Sequence, residues 1–513
     1  MNGAEALLET SRRLGLEVCF ANPGTTEMPL VAALDRVGLR AVLGLFEGVC
    51  TGAADGYARM AERPAATLLH LGPGFANGIA NLHNARRAGS AVVNWIGDHA
   101  TWHLAADAPL TSDIAALAGA VGWVRSAASA AQLAQDGADA LAAASGPPAG
   151  VASLIIPVDA QWDEARAPLA GPIPRPERTA ASADALARAA AALRSPGTGL
   201  LLGGRALRAE ALFAAARIQA HTGCGVWTET FTARHERGAG LPDFPRLPYF
   251  PEQARATLVG VTQLVLAGAR NPVAFFAYPG QPSRLTPEPC AITTLCGTQD
   301  DATASLEALA DELGARRAAV VAERPRAALA RGALDVAALG RTLAALQPEG
   351  AVVIDEAATS GLAWSAHAAA APPHSVLALT GGAIGQGLPC AVGAAIACPG
   401  RRVIAFQADG SGLYTLQSLW TMAREGLDVT VVICANRTYR ILQVELARAG
   451  IAEPGPAARR LTQLGPPPID WVAAARAFGV PGTSARSGEE LAQALQRSFA
   501  MPGPSLIEAI LGG

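Results

Sequence analysis

The most informative absence in this chain is lysine. Every one of the 40 basic residues among the 513 is arginine. Without a lysine amine the chain cannot form a Schiff base with a carbonyl substrate, which excludes pyridoxal phosphate bound as an internal aldimine. The chain also cannot build a Walker A phosphate loop, because that loop needs a lysine beside its glycines. Two large classes of cofactor and nucleotide chemistry are therefore excluded.

Charge, long apolar runs and paired cysteines are also scarce. Only 16% of residues are charged and the formal net charge is −3, which gives no reason to expect nucleic-acid binding. No uninterrupted apolar run approaches the roughly 20 residues of a bilayer-spanning helix, and the first residues lack a signal-peptide pattern. The eight cysteines are scattered, without a Cys-x-x-Cys or Cys/His metal spacing. We expect a cytoplasmic protein with reduced thiols that binds neither nucleic acid nor membranes.

The length favours about three domains, because 513 residues exceed what one core usually holds. Alternating helix and strand patterns predict an α/β fold with three doubly wound parallel sheets. Repeated prolines at 168–181 predict an extended linker, and Ala327–Leu346 has the composition of a helix. The predicted domains are residues 1–165, 180–325 and 335–513.

Two polar residues end successive strands of the third domain. Asp409 follows the β-branched run Val403–Phe406, and Asn436 follows Val429–Ala435, with helical spacing between the runs. A crossover this short makes the strands parallel neighbours, so both side chains lie at one carboxyl edge of the sheet. Oxygen ligands beside the Gly-Ser-Gly turn at 410–412 are what Mg²⁺ bridging a diphosphate requires. Turn residues that merely end strands are the alternative.

Three polar groups follow strands of the first domain. Glu47 lies amid apolar residues, where a carboxylate is either desolvated or paired with a ligand, and either state suits proton transfer. His70 precedes a Gly-rich turn, and an imidazole there can exchange protons near neutral pH. The turn Ala21–Glu27 places threonine hydroxyls at a helix start. An exposed loop acid, a structural histidine and an ordinary helix cap are the alternatives.

Other polar and glycine-rich segments suggest ligand contacts. Thr359 and Ser360 follow a strand and could donate hydroxyls to phosphate. The glycine-rich segment 381–389 lets backbone approach a flat ligand, and a Rossmann dinucleotide site is the competing interpretation. In the second domain, Gly203-Gly204-Arg205 could contact an FAD or ADP phosphate or form a strand-to-helix turn. We favour the turn and expect no FAD.

Taken together, these motifs resemble those of thiamine-diphosphate-dependent enzymes of the pyruvate oxidase and decarboxylase superfamily, over essentially the whole chain. The segment from Asp409 to Thr438 is similar to the family signature, with Ala408 in place of its first glycine. The resemblance implies a pyrimidine-binding domain, a middle domain and a diphosphate-binding domain. It also implies that Asp409, Asn436 and the Thr438 carbonyl bind Mg²⁺, and that active sites lie between the subunits of a homodimer or homotetramer.

The resemblance implies further roles in holding the cofactor. Glu47 would contact the aminopyrimidine ring, the Gly382 carbonyl would accept a hydrogen bond from its amino group, and Ile384 would force the cofactor into a V shape. The remaining cofactor contacts would come from Thr359, Ser360, Gly410, Ser411 and Tyr439.

Motifs near the N-terminus are most similar to benzoylformate decarboxylase, whereas Gly72–Gly74 and the segment 97–114 are more similar to acetolactate synthase. The resemblance implies cleavage of the C–C bond beside the carbonyl of a small 2-oxo acid, with non-oxidative decarboxylation preferred. His70 would move protons and Thr25 would help position the carboxylate. An acetolactate-synthase-like carboligase is the alternative, and a non-catalytic nucleotide-binding protein of this fold is a remote one. Candidate substrate-pocket residues are Leu71, Leu442 and Glu445.

Overall fold

A computed structural model divides the chain into two compact units. The first contains residues 1–175, 326–371 and 379–513, and the second contains residues 176–325 and 372–378. The structure describes residues 1–166, 169–171, 177–298, 300–316, 321 and 323–512.

The N-terminal part of the first unit alternates strands and helices. Its strands are β1 (Val18–Asn22), β2 (Arg40–Leu43), β3 (Ala65–His70), β4 (Val92–Asp98), β5 (Trp123–Ser126) and β6 (Val151–Pro157). Its helices are α1 (Gly3–Arg13), α2 (Met28–Val37), α3 (Glu47–Ala61), α4 (Leu71–Ala88), α5 (Ile114–Gly119), α6 (Ala130–Ser145) and α7 (Val158–Trp162). The strands form one parallel sheet in the order β2-β1-β3-β4-β6-β5.

The second unit is built around a smaller parallel sheet. Its strands are β7 (Thr198–Leu202), β8 (Gly225–Thr228), β9 (His235–Arg237), β10 (Gln263–Ala267) and β11 (Ala291–Cys296). Its helices are α8 (Ala183–Leu193), α9 (Ala209–Thr222), α10 (Pro251–Thr257) and α11 (Ala302–Glu312). Four of the strands pair in parallel in the order β11-β10-β7-β8.

The C-terminal segment carries the third set of elements. Its strands are β12 (Val352–Glu356), β13 (His374–Ala378), β14 (Val403–Ala408), β15 (Val429–Ala435), β16 (Gly482–Ala485) and β17 (Ser505–Ile510). Its helices are α12 (Val336–Leu346), α13 (Gly361–Ala368), α14 (Gly387–Ala397), α15 (Asp409–Gly412), α16 (Ser418–Arg424), α17 (Arg440–Arg448), α18 (Pro456–Thr462), α19 (Trp471–Ala477) and α20 (Gly488–Ala500). In the first unit the parallel order is β16-β17-β15-β14-β12. Strand β13 belongs to the second unit and pairs antiparallel with β9.

The predicted α/β class with three parallel sheets is confirmed. Strands β14 and β15 pair in parallel from Val403↔Val429 to Ala408↔Cys434, as the short crossover predicted. Their side chains are buried on both faces, which explains the continuous apolar runs in their sequences. Because of this pairing, Asp409 and Asn436, which follow the two strands, lie at the same carboxyl edge of the sheet.

Within the first unit, α3 of the N-terminal part packs closely on α14 of the C-terminal part, because small residues lie where the two helices cross. A Cβ added at Gly56 would lie 2.1 Å from the carbonyl oxygen of Cys390. A Cβ added at Gly393 would lie 1.8 Å from the carbonyl oxygen of Ala53. Both helices therefore need glycine at the crossing point, because any side chain would force them apart.

Two expectations about the connecting segments had different outcomes. The predicted helix Ala327–Leu346 is wrong in its first half, because α12 begins at Val336, after Gly332 at φ 78° and the N-cap Asp335. A cap and a left-handed glycine outweigh the alanine-rich composition. The predicted linker at 168–181 lies partly outside the described residues, and its described residues contain no helix or strand. Among described residues, no helix combines the length and apolar character needed to cross a bilayer.

Candidate active site

Glu47 occupies the first position of α3, four residues after β2 ends. It is 8% exposed, and the amide of Asn77 on α4 donates to its carboxylate at 3.0 Å. A Cβ at Gly74 would lie 3.1 Å from Glu47 Oε1, so the Gly-rich start of α4 lets the two helices meet around the carboxylate. The helix N-terminus favours negative charge at this point. Glu47 is therefore a buried acid at the carboxyl edge of the first sheet.

His70 ends β3 beside a buried acid, Glu27, which ends the turn 21–27 and had no role predicted from the sequence. Its Nδ1 lies 2.7 Å from Glu27 Oε2, and Glu27 is 0% exposed. The same carboxylate accepts hydrogen bonds from the backbone N–H of Gly24 at 2.7 Å and the Thr26 hydroxyl at 2.6 Å. A carboxylate accepts hydrogen bonds, so this contact favours the imidazole tautomer that carries its hydrogen on Nδ1, and Nε2 takes no part in it.

Glycines make room for this pair. A Cβ at Gly24 would lie 2.3 Å from His70 Nδ1, and one at Gly97 would lie 1.8 Å from Glu27 Oε1. Thr25 is exposed at the start of the same turn, whereas the Thr26 hydroxyl lies 3.4 Å from His70 Nδ1. The structure therefore brings Thr26, rather than Thr25, against the imidazole.

Asp409 and Asn436 follow β14 and β15 at the carboxyl edge of the C-terminal sheet. Asp409 is 2% exposed and accepts hydrogen bonds from the N–H groups of Gly410 at 2.9 Å and Arg437 at 2.6 Å. Burial raises the pKa of this carboxyl. Asn436 Oδ1 accepts from the Thr438 N–H at 2.9 Å, and the hydrogen bond from Arg437 to Asp409 joins this loop to the loop that follows β14. Among the described residues, no cationic side chain forms an ion pair with Asp409.

This donor set fits Mg²⁺ bound together with a diphosphate. A buried carboxylate without a cationic partner, an amide oxygen and a backbone carbonyl are the hard oxygen ligands that Mg²⁺ accepts while it keeps substrate phosphate oxygens. Within the described ranges, no group of three or more His, Cys, Asp and Glu residues could hold a metal. A metal at this edge would therefore depend on oxygens from its ligand.

The turn at 410–412 packs tightly under Tyr439. A Cβ at Gly410 would lie 2.4 Å from the Tyr439 ring, so the ring covers the turn backbone. Ser411 Oγ accepts from the Gln407 amide at 2.5 Å and donates to the Ala408 carbonyl at 3.3 Å. Burial and a neighbouring tyrosine raise the pKa of the Tyr439 phenol. These contacts fix the segment that would face a phosphate.

The Gly-rich segment 381–387 has two glycines in the left-handed region, Gly382 at φ 76° and Gly385 at φ 94°. The buried carboxylate of Glu356 at the end of β12 accepts from the N–H groups of Gly385, at 2.6 Å, and Gly387. Burial raises the pKa of Glu356 to about 7. Sequence reasoning missed this acid, although its place at the end of a buried strand was a signal.

The remaining predicted residues lie in three places. Ser360 is buried and Thr359 half-buried in the turn after β12. Leu71 is 1% exposed, with φ 51°, at the start of α4. Leu442 and Glu445 on α17 line an apolar groove against α18, with a volume of about 380 Å³. The candidate residues therefore form one group on the N-terminal sheet and another on the C-terminal sheet.

Comparison with known proteins identifies the family. The N-terminal thiamine pyrophosphate enzyme domain matches residues 1–117, and the C-terminal domain of the same enzymes matches residues 358–509. A Mycobacterium tuberculosis protein with the provisional name acetolactate synthase large subunit IlvX is 50% identical over 100% of this chain and 99% of its own length. Benzoylformate decarboxylase of Pseudomonas aeruginosa is 29% identical over 98% and 97%.

A solved structure shares the fold. The thiamine diphosphate-dependent 4-hydroxybenzoylformate decarboxylase of Rhodococcus jostii RHA1 superposes with a TM-score of 0.87 at 24% identity, covering 100% of this chain and 99% of that one. Glu47 of the N-terminal sheet and the polar residues Asp409 and Asn436 of the C-terminal sheet lie within the two matched domains. The chain belongs to the family of thiamine pyrophosphate-dependent enzymes.

Proposed function

We propose that this protein cleaves the C–C bond next to the carbonyl of a small 2-oxo acid, with non-oxidative decarboxylation as the main reaction. The proposal depends most on the pairing of His70 with the buried carboxylate of Glu27, at the sheet edge that also carries Glu47. A histidine held in one tautomer is suited to accept and return a proton beside a developing carbanion. Benzoylformate decarboxylase, the name of a 29% identical relative, describes such a reaction.

The family cofactor and Mg²⁺ would be held by residues of both sheets. When bound, thiamine diphosphate supplies a thiazolium ring that accepts the electron pair of the cleaved bond. Glu47 would hold a proton at the pyrimidine ring, and the Gly382 carbonyl would accept a hydrogen bond from its amino group. Ile384 would force the cofactor into its V shape. Asp409, Asn436 and the Thr438 carbonyl would bind Mg²⁺. The remaining cofactor contacts would come from Thr359, Ser360, Gly410, Ser411 and Tyr439.

The chain's own side chains would then orient the substrate. Thr25 would help position the substrate carboxylate, and His70 would exchange a proton at Nε2, the nitrogen that Glu27 leaves free. Leu71, Leu442 and Glu445 would contact the substrate side chain. The groove beside Leu442 is lined by apolar atoms, with Glu445 as its one acidic residue among the described lining.

Domain boundaries and assembly form part of the same proposal. We assign the pyrimidine-binding, middle and diphosphate-binding domains to residues 1–165, 180–325 and 335–513. The active unit would be a homodimer or a dimer of dimers, with Glu47 and the metal ligands of each site on different subunits. Size-exclusion chromatography with light scattering, at concentrations that support turnover, tests the assembly; an active monomer would refute it.

The middle sheet is proposed to act without FAD. The N–H of Gly204, which could otherwise approach a phosphate, donates at 2.9 Å to the carboxylate of Glu229 at the end of β8. Burial raises the pKa of Glu229 to about 7. The acid already occupies the Gly204 N–H that a dinucleotide phosphate would need. A flavin absorbance spectrum in the purified protein would refute this part of the proposal.

Carboligation is the second candidate, and the 50% identical relative that carries a synthase name favours it. Both reactions begin with the same cleavage and differ in whether a proton or a second carbonyl captures the product carbon. A panel of 2-oxo acids with added thiamine diphosphate and Mg²⁺ separates them. Aldehyde and CO₂ indicate decarboxylation, whereas a hydroxy-oxo acid and CO₂ indicate carboligation.

Glu47→Gln is the decisive variant for the shared chemistry. We expect turnover to fall by about 10²- to 10⁴-fold, because the amide cannot exchange the proton, while metal binding stays unchanged. Glu508→Gln is the matched control, since Glu508 is also buried, at 5% exposed, and accepts a single side-chain hydroxyl, from Ser484 at 3.0 Å. Turnover that survives Glu47→Gln would refute the proposed mechanism.

A further inference from the structure

One buried amide clamps the middle of the Gly-rich segment. Asn84 on α4 is 0% exposed, and its Nδ2 donates to the Ala383 carbonyl at 2.7 Å. The Ala383 N–H donates back to Asn84 Oδ1 at 3.2 Å. The amide thus satisfies both backbone groups of one residue, as a neighbouring β-strand would. A Cβ at Gly381 would lie 2.6 Å from Asn84 Oδ1, so that glycine is needed for the approach.

Neighbouring side chains of α4 extend the clamp along the segment. Asn84 Nδ2 also donates to Asn81 Oδ1 at 3.1 Å. Asn81 Nδ2 donates to the carbonyls of Gly48 at 2.8 Å and Gly385 at 3.3 Å. His83 Nε2 lies 3.2 Å from the Gly381 carbonyl. One face of α4 therefore holds the segment from its first glycine to Gly385.

The segment needs such support because of its own composition. Gly382 and Gly385 both adopt positive φ, and glycine without restraint samples many other backbone conformations. The clamped residue, Ala383, lies between Gly382 and Ile384, which would bind the cofactor's amino group and impose its V shape. Fixing its N–H and carbonyl fixes the orientation of the peptide groups on either side.

We infer that Asn84 is a positioning residue for thiamine diphosphate, which holds the Gly382 carbonyl and the Ile384 side chain in their binding conformation before the cofactor arrives. The inference rests on the proposed function. A segment released from the clamp occupies its binding conformation only part of the time, and the apparent cofactor affinity falls by that fraction. The loss of two buried hydrogen bonds corresponds to a decrease of about 10-fold or more.

The test compares two asparagines of the first unit. Asn94 is also 0% exposed, and its amide accepts from the Thr67 hydroxyl at 2.8 Å and donates to Ser153 at 3.0 Å, inside the N-terminal sheet. Isothermal titration of thiamine diphosphate with saturating Mg²⁺ is run on wild type, Asn84→Ala and Asn94→Ala. We expect the Kd to rise about 10-fold or more for Asn84→Ala and to stay within about twofold for Asn94→Ala.

A merely structural role would affect both variants alike, so equal Kd values for the two variants overturn the inference. If wild type binds the cofactor and turns over but Asn84→Ala keeps its Kd, the inference fails and the proposed function stands. A wild-type protein that does not bind thiamine diphosphate refutes both.

Two further measurements cover a variant that does not fold. Asn84→Asp keeps the size and the acceptor for the Ala383 N–H but loses the donor, and an intermediate Kd is expected. Hydrogen exchange of cofactor-free wild type should show slow exchange at the Ala383 N–H. Exchange there as fast as in exposed loops would overturn the inference without any variant.

Discussion

Glu356 offers the most quantitative test of the buried network around the Gly-rich segment. Its carboxylate is 4% exposed and accepts from the N–H groups of Gly385 and Gly387, yet burial raises its pKa to about 7. The two N–H groups favour the ionised form, and desolvation, which is the larger effect, favours the neutral form. The perturbation is Glu356→Gln, which removes the titration and keeps the size.

The raised pKa of Glu356 determines how the free energy of unfolding changes with pH. The folded-state pKa, about 7, lies above the ordinary value of 4.5, so the folded protein holds the proton more tightly than the unfolded chain does. The stabilisation of the folded state that Glu356 contributes is fully present below pH 4.5 and is lost as the pH rises through 7. Between pH 5 and pH 8 the loss from this one group is about 2.5 kcal/mol.

Urea unfolding of wild type and variant at pH 5, 6, 7 and 8 measures the effect. Every other titrating group is common to both proteins, so the difference in the free energy of unfolding isolates Glu356. We expect Glu356→Gln to be less stable than wild type at pH 5 and to recover about 2.5 kcal/mol of that difference by pH 8. A difference that stays constant across this range would refute the assignment of a raised pKa.

Three further outcomes are expected. Gly97→Ala places a Cβ 1.8 Å from Glu27 Oε1 and should lower the free energy of unfolding by about 2 kcal/mol. The control Gly119→Ala, whose Cβ would have no atom within 4 Å, should leave it unchanged. Equal urea midpoints for the two variants would contradict this prediction. Of the eight cysteines, Cys290 and Cys398 are half-buried and the others buried, so iodoacetamide with mass spectrometry should label these two first. Thiamine diphosphate with Mg²⁺, at about 100 times its Kd, should stabilise the folded protein by about 2.7 kcal/mol, and an unchanged melting temperature would contradict cofactor binding.

Local sequence patterns predicted where strands end and which residues follow them. They did not predict which distant side chains contact those residues. Asp409 could be placed beside Asn436 from the sequence, because a short crossover between two apolar runs dictates a parallel pair. The partner of His70 could not be found in this way, since Glu27 lies 43 residues away on a different element. The Asn84 clamp joins residues 299 positions apart, and no periodicity encodes a contact that depends on how two helices cross.

The absence of lysine matters at the carboxyl edge of the C-terminal sheet, where Asp409 lies. Asp409 is buried and bound by backbone N–H groups, and no arginine among the described residues forms an ion pair with it. A diphosphate bound at that edge would lie near the Asp409 carboxylate, whose negative charge no cationic side chain among the described residues neutralises. Coulomb repulsion between two such anions in a desolvated site is large unless a divalent cation lies between them. The proposed function therefore makes the metal a condition for cofactor binding at this edge, since Mg²⁺ supplies the positive charge that in other phosphate sites comes from a lysine.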